Sequence, residues 1–211
     1  MSRLQEERSA ETRQRLVAAT IECLFERGYA GITTAEIAAR AGVSKGAQLH
    51  HFPSKEQLVI AALENLFELR LAASRDPQTI RKLPAERGKR LAATIDMLVP
   101  VYRDKVFYAW LELVVASRTD IALREAVKTT SERFSARILE IWKDLFGSPS
   151  DSPELFRVLD QFINGQFAAM ALGRILAGGE EEPKEFAGMI DELKEMGSVL
   201  LRKTISRRRK P

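Results

Sequence analysis

Thr33-Thr-Ala-Glu-Ile-Ala-Ala-Arg-Ala-Gly-Val-Ser-Lys-Gly-Ala-Gln-Leu-His-His-Phe52 reads as two short helices pivoting on Gly42. Thr33 or Thr34 supplies an N-cap, with Glu36 and Ile37 in the turn that follows, and this helix runs to about Ala41. Gly42 provides the positive φ that a sharp turn needs. Ser44 caps a second helix of about two turns, which must end before Pro53 because proline disfavours a helical predecessor. A chain that crosses one small helix over another in this way presents the second outward, the geometry that enters a DNA major groove.

The flanks support the same reading. Val17, Ile21, Leu24 and Phe25 fall on one face of an amphipathic helix over residues 12–27, closed by Gly28. On the other side Ser54 and Gln57 form a capping box ahead of Leu58, Ala61, Ala62, Leu66 and Leu69, the start of a long helix. Asp76-Pro77 and Pro84 punctuate a connection over about residues 74–86. Beyond it lie helical patterns at 91–99 and 102–117, with Pro100 breaking or kinking the run, then at 121–146. Pro153 opens a helix that Gly178-Gly179 stops, and residues 182–205 form the last. No strand-like alternation intervenes. The expectation is an all-α fold: an N-terminal three-helix helix-turn-helix domain over 1–57, a larger helical domain over 58–206, and a basic tail at 207–211.

An apolar fraction of 45% over 211 residues supports a substantial core. The net charge of +4 is a property of the tail: without the last ten residues, 27 bases face 29 acids. Attraction to DNA must therefore come from local placement of charge. The tail itself reads either as a solvated end or as an auxiliary contact to DNA or an acidic partner. Cys23 stands alone in an apolar helical pattern, which excludes an intramolecular disulfide and marks it as a buried small hydrophobe. No stretch reaches the length of a membrane span and the N-terminus lacks a signal-peptide core, so a cytoplasmic location is expected.

Within the quoted stretch, packing and contact residues separate. Ala38 is small where the helices cross, and Ile37 and Val43 bury the angle between them. The outward positions Lys45, Gly46, Ala47 and Gln48 are expected to read bases: lysine donates to guanine, glutamine pairs with adenine, and the small residues admit a thymine methyl. Thr34, His51 and Lys55 suit phosphate contacts, with Thr33, Ser44 and His50 beside them in the expected interface. His50 and His51 are the only histidines and, being adjacent, point to different helix faces. That argues against a shared metal or catalytic pair, and no metal or other cofactor is expected.

The constellation Phe25-Glu-Arg-Gly-Tyr29, Thr33-Thr34, Ile37-Ala-Ala-Arg-Ala-Gly-Val-Ser-Lys-Gly46 and His51-Phe-Pro-Ser-Lys-Glu-Gln-Leu58 resembles the tetracycline-repressor (TetR) family of transcriptional regulators. The remaining three-quarters of the chain resembles that family in size and helical layout only. The resemblance implies phosphate contacts at Thr34, His51 and Lys55. There is one departure: the family commonly carries an apolar residue followed by a phosphate-binding tyrosine where this chain has Gln48-Leu49. The expectation is that Leu49 takes the buried role while Gln48 turns toward DNA.

The resemblance also implies an effector cavity in the later helices and a two-fold dimer built on the last two. Aromatic residues at helical spacing are, one by one, ordinary core; as a group, Met97, Phe107, Trp110, Leu111, Val114, Trp142, Phe167 and Met170 become candidate pocket lining. Gln161, Asn164 and Gln166 are polar groups on an apolar helix, costly to bury unpaired and so candidate ligand contacts. Sparse charge in these segments points to a small, largely apolar effector. Small residues at Gly165, Ala168, Ala169, Ala171 and Gly173 permit close helix approach, in a dimer or in the monomer core. The leading expectation is a ligand-responsive, homodimeric repressor of a near-palindromic double-stranded operator. An architectural DNA-binding protein without an effector is the alternative. A small all-helical enzyme is disfavoured, since no nucleophile elbow, metal-ligand spacing or phosphate loop occurs.

Overall fold

The long amphipathic patterns fold as helices throughout. The computed structural model describes residues 3–147, 154–178 and 184–206, which contain ten helices and no strand. These are α1 (Arg3–Gly31), α2 (Thr34–Arg40), α3 (Lys45–His51), α4 (Lys55–Arg75), α5 (Pro77–Lys82), α6 (Arg87–Arg103), α7 (Lys105–Ala116), α8 (Ile121–Phe146), α9 (Glu154–Leu176) and α10 (Glu185–Ser206). The expected opening at Pro153, most of the loop before it, the stop at Gly179 and the tail at 207–211 lie outside the described residues.

The first helix starts at Arg3 rather than near residue 12, and two expected interruptions are helical. Residues 74–86 are not a bare connection, because Asp76 accepts from the backbone N–H groups of Gln78 (3.3 Å) and Thr79 (3.0 Å) and Pro77 fits the first turn, nucleating α5. Those bonds, with the Thr79 hydroxyl foremost, hold the Asp76 carboxyl below its usual range. Pro100 does not break the run: α6 continues through it to Arg103. Proline removes one i→i−4 bond there, and on the exposed side of a helix water can satisfy the freed carbonyl.

Packing divides the chain into two units that do not follow a cut at 57/58. The first joins residues up to Arg70 with Lys105–Phe134. Its core runs from Leu16 and Leu24 of α1 through Ile37 of α2 and Leu58, Leu63 and Leu66 of α4 to Leu113 of α7 and Leu123 of α8. α7 belongs with this unit because α1 packs chiefly against it. The second unit joins Leu71–Asp104 with residues from Ser135 onward. There α6 packs on α9 and α10, and Leu91, Ile95, Leu159, Ile163 and Leu193 of these helices are all buried. A methyl group on Gly197 would stand 3.1 Å from Leu91, so glycine permits that close approach of α10. Lys194 pairs with Asp96 at 2.7 Å across α10 and α6, which raises the lysine above its usual value.

Gly28 closes the regular part of α1 at φ 68°, ψ 168°, a combination open in practice only to glycine. A β-carbon there would come within 2.8 Å of Glu112 Oε1. Gly28→Ala is therefore expected to lower unfolding stability by about 1–3 kcal/mol in urea titration. An unchanged midpoint would show that the joint tolerates an ordinary residue.

Candidate nucleic-acid interface

The reading head is built from locally capped pieces. Thr33 Oγ1 accepts from Glu36 N (3.2 Å), opening α2, and Ser44 Oγ accepts from Ala47 N (3.2 Å), opening α3. Between them Gly42, at φ 63°, donates to Ala39 O (3.1 Å), and Val43 N donates to Ala38 O (3.0 Å), so the turn leaves neither amide unbonded. Ile37 and Ala38 are buried at the crossing and Val43 packs against the same core, as expected of packing residues. Bidentate bonds from Arg40 to Glu26 (2.7 and 2.5 Å) and an ion pair of Arg27 with Glu36 (2.7 Å) tie α2 to the end of α1.

The segment after Gly28 is fixed from further along the chain. Glu112 of α7 accepts from Tyr29 N (2.7 Å), and the Tyr29 hydroxyl donates to Asp120 just before α8 (3.0 Å). Burial, reinforced by Asp120, pushes the Tyr29 phenol up to about 12, so it stays a donor. Asp120 is held low by the Leu123 backbone N–H first and by Tyr29 second. Lys55 donates to Tyr29 O (2.5 Å) and stands 4.2 Å above the Tyr29 ring. One ammonium hydrogen of this candidate phosphate ligand is thus already engaged, leaving two others. Cys23 is fully buried, and burial pushes its thiol up, consistent with a packing role.

On α3 the exposed positions are Lys45, Gly46, Leu49 and His50, while Ala47 and His51 are half-buried. Thr33 and Ser44 are exposed but serve as caps, and Thr34 is half-buried. Gln48 corrects the sequence expectation. It is fully buried, its Nε2 donates to Phe52 O (2.5 Å), and its Oε1 is buried without a partner among the described residues. It cannot read a base from there. Leu49 is correspondingly 44% exposed rather than taking the buried role. The reason is helical phase: Gln48 lies four residues before buried Phe52 and shares its face, and one residue on, Leu49 turns about 100° away.

The effector candidates fall in both packing units. In the first, Phe107 is buried with its ring centroid 5.2 Å from that of Trp110, and Leu111 and Val114 are half-buried. Trp110 Nε1 is buried and has no acceptor among the described residues. In the second, Trp142 Nε1 donates to Asp160 (3.1 Å) and its ring packs near Phe146 and Phe156, the environment of a satisfied core tryptophan. Asn164 accepts from the Tyr102 hydroxyl and donates to Asp160 O (2.7 Å), and Phe167 stacks on Tyr102 at 4.0 Å. Met170 is buried, and Met97 and Gln166 are half-buried. Gln161 departs from expectation: it is exposed, so it carries no burial cost for a ligand to relieve.

The family profile described as "Bacterial regulatory proteins, tetR family" matches residues 16–62, from the middle of α1 into α4. The chain is 39% identical over 140 residues to the HTH-type transcriptional regulator CymR of Pseudomonas putida, covering 66% of this chain and 68% of that one. It is 32% identical over 174 residues to an HTH-type transcriptional regulator of Mycobacterium tuberculosis (strain ATCC 25618 / H37Rv), covering 82% and 88%. Among solved structures, a transcriptional regulator of Streptomyces coelicolor A3(2), SCO7518, superposes with TM-score 0.66 at 23% identity, covering 89% and 98%.

Gln48→Leu separates a core residue from a reader. The substitution removes a buried unpartnered carbonyl and leaves the Phe52 carbonyl without its donor, each worth about 1–3 kcal/mol, so the two effects largely offset. The variant is expected to melt close to wild type and to keep its DNA sequence preference, measured by thermal denaturation and by duplex selection. A changed preference would restore Gln48 as a base contact.

Proposed function

The chain belongs to the TetR family and is a helix-turn-helix transcriptional regulator rather than an enzyme, and from that premise we propose a repressor released from its operator by a small, largely apolar effector. Regulators of this family bind operators and small-molecule effectors and act as dimers. The observation that carries the reading is the outward face of α3, where Lys45, Gly46 and His50 stay exposed while both ends of the helix are capped. Residues 1–57 serve as the DNA-reading part and 58–206 as the effector-binding and dimerising part. Thr34, Lys45, His51 and Lys55 are the proposed charged or polar contacts to a near-palindromic operator, with half-sites about one helical turn apart or a multiple of it.

Homodimerisation through α9 and α10 is supported by the apolar side chains these helices leave exposed, Leu172, Ile175 and Leu176 on α9 and Met189, Met196 and Val199 on α10. The effector reading is supported by the buried, acceptor-less Trp110 Nε1, which a ligand oxygen or nitrogen would satisfy. Release requires that the effector bind the non-operator conformation more tightly, since equal affinity shifts nothing. A cytoplasmic location follows from the DNA target, and no described helix is long and apolar enough to cross a membrane.

The test is selection of random-sequence duplexes by the full-length chain, followed by footprinting with and without a panel of small apolar compounds. Enrichment of one near-palindrome, and its release by a compound that also alters Trp110 fluorescence in a Trp142→Phe background, is the expected result. Binding without sequence preference would overturn the operator, and a footprint that no compound releases would overturn induction.

His51 supplies a pH signature. Burial lowers its imidazole below the ordinary value, with His50 and Arg13 adding repulsion. The stability this contributes is complete above the unfolded value of about 6.5 and is lost as pH falls through the lower folded value. A phosphate beside the ring would favour its charged form, so binding takes up a proton. Operator affinity is expected to rise more steeply for wild type than for His51→Asn as pH falls from about 7.5 to about 6, and equal slopes would remove the contact.

A further inference from the structure

Leu49 occupies a place on α3 that packing does not account for. The inward row of this seven-residue helix is filled by Gln48 and, past its end, Phe52, both buried, whereas the isobutyl group of Leu49 stands 44% exposed. Lys45 lies one turn earlier, so the two side chains share a face. Gly46 beside them contributes no side chain, and a β-carbon there would meet nothing nearer than Ser44 Oγ at 3.9 Å. The outward face of α3 is therefore a lysine, an open backbone and a leucine, with His50 exposed next in sequence.

Leucine offers neither donor nor acceptor, so it can bond neither a phosphate nor a polar base edge. The major groove displays one apolar group on its floor, the C5-methyl of thymine. Lys45 and His50 present polar heads and Ala47 is half-buried, which leaves Leu49 as the exposed apolar side chain of reach on this helix. We propose that Leu49 is a specificity-determining residue of the DNA-binding face and that it reads a thymine C5-methyl in each half-site. The inference rests on the operator-binding reading above and adds a contact that neither the sequence nor the resemblance supplied.

The probe is the duplex that the full-length chain selects from random sequence, remade with single thymines replaced by deoxyuridine, which lacks only the methyl. Wild type is expected to bind about fourfold more weakly when one particular thymine of a half-site is replaced, the scale of one buried methyl group. Leu49→Ala is expected to bind the parent duplex at least about fourfold more weakly and to ignore the replacement at that position, while Leu49→Met retains the discrimination. Since the side chain is exposed, the thermal midpoint of Leu49→Ala should match wild type, which keeps the comparison free of folding effects. The proposal is overturned if wild type is indifferent to deoxyuridine at every thymine, or if Leu49→Ala discriminates as wild type does. If no duplex is enriched at all, the operator reading itself fails and takes this one with it.

Discussion

The reading head depends on the joint at Gly28 and Tyr29. A helix that ends in a left-handed residue exposes the next amide, and here that amide is answered by the Glu112 carboxylate, 83 residues along the chain. The same turn carries the Tyr29 carbonyl, taken by Lys55, and the Tyr29 hydroxyl, taken by Asp120. One residue therefore gathers bonds from the starts of α4 and α8 and from the middle of α7. Any displacement of α7 or the start of α8 must either break these bonds or move the chain that leads into α2. These bonds join α7 to the chain that leads into α2 directly, with no intervening linker.

Charge on the head is distributed by subtraction. Arg40 and Arg27, which by sequence alone would add to a basic surface, are paired with Glu26 and Glu36. Exposed pairs of this kind add little to stability. They do neutralise cations that would otherwise attract DNA without regard to orientation. Lys45 has no ion pair among the described residues and stands on α3, where an approaching duplex meets it. This agrees with a body that carries slightly more acid than base. Affinity must come from a few placed groups, and such an interface is selective because misplacement costs most of the attraction.

In the second unit the polar residues on apolar helices are largely satisfied from within. Trp142 and Asn164 converge on Asp160, through its side chain and its backbone carbonyl, and Tyr102 joins them through Asn164. Such a network fixes the mutual rotation of α6, α8 and α9 more sharply than aliphatic packing alone. Trp110 stands apart in the first unit, since its indole N–H lacks any acceptor among the described residues. A polar group that folding leaves unsatisfied is the stronger pointer to a ligand, and sequence periodicity treated both tryptophans alike.

The sequence by itself determined the helices of the head, because their caps and turns are local: Thr33, Gly42, Ser44 and Ser54 act on amides within four residues of themselves. It also determined the family, carried by a run of about fifty residues whose spacing is dictated by the crossing of α2 and α3. Local signals alone do not show that α6 runs through Pro100, where the helix tolerates one lost bond, or that residues 77–82 are helical, where Asp76 caps a turn that Pro77 opens. Only the tertiary structure decided that α7 packs with α1, that Glu112 closes the Gly28 joint, and that Gln48 is buried while Leu49 faces out. The physical reason is that burial and long-range bonding depend on what the rest of the chain brings alongside. A glutamine on the inward face is held there by its helical phase and by the carbonyl of Phe52, whatever its polarity prefers.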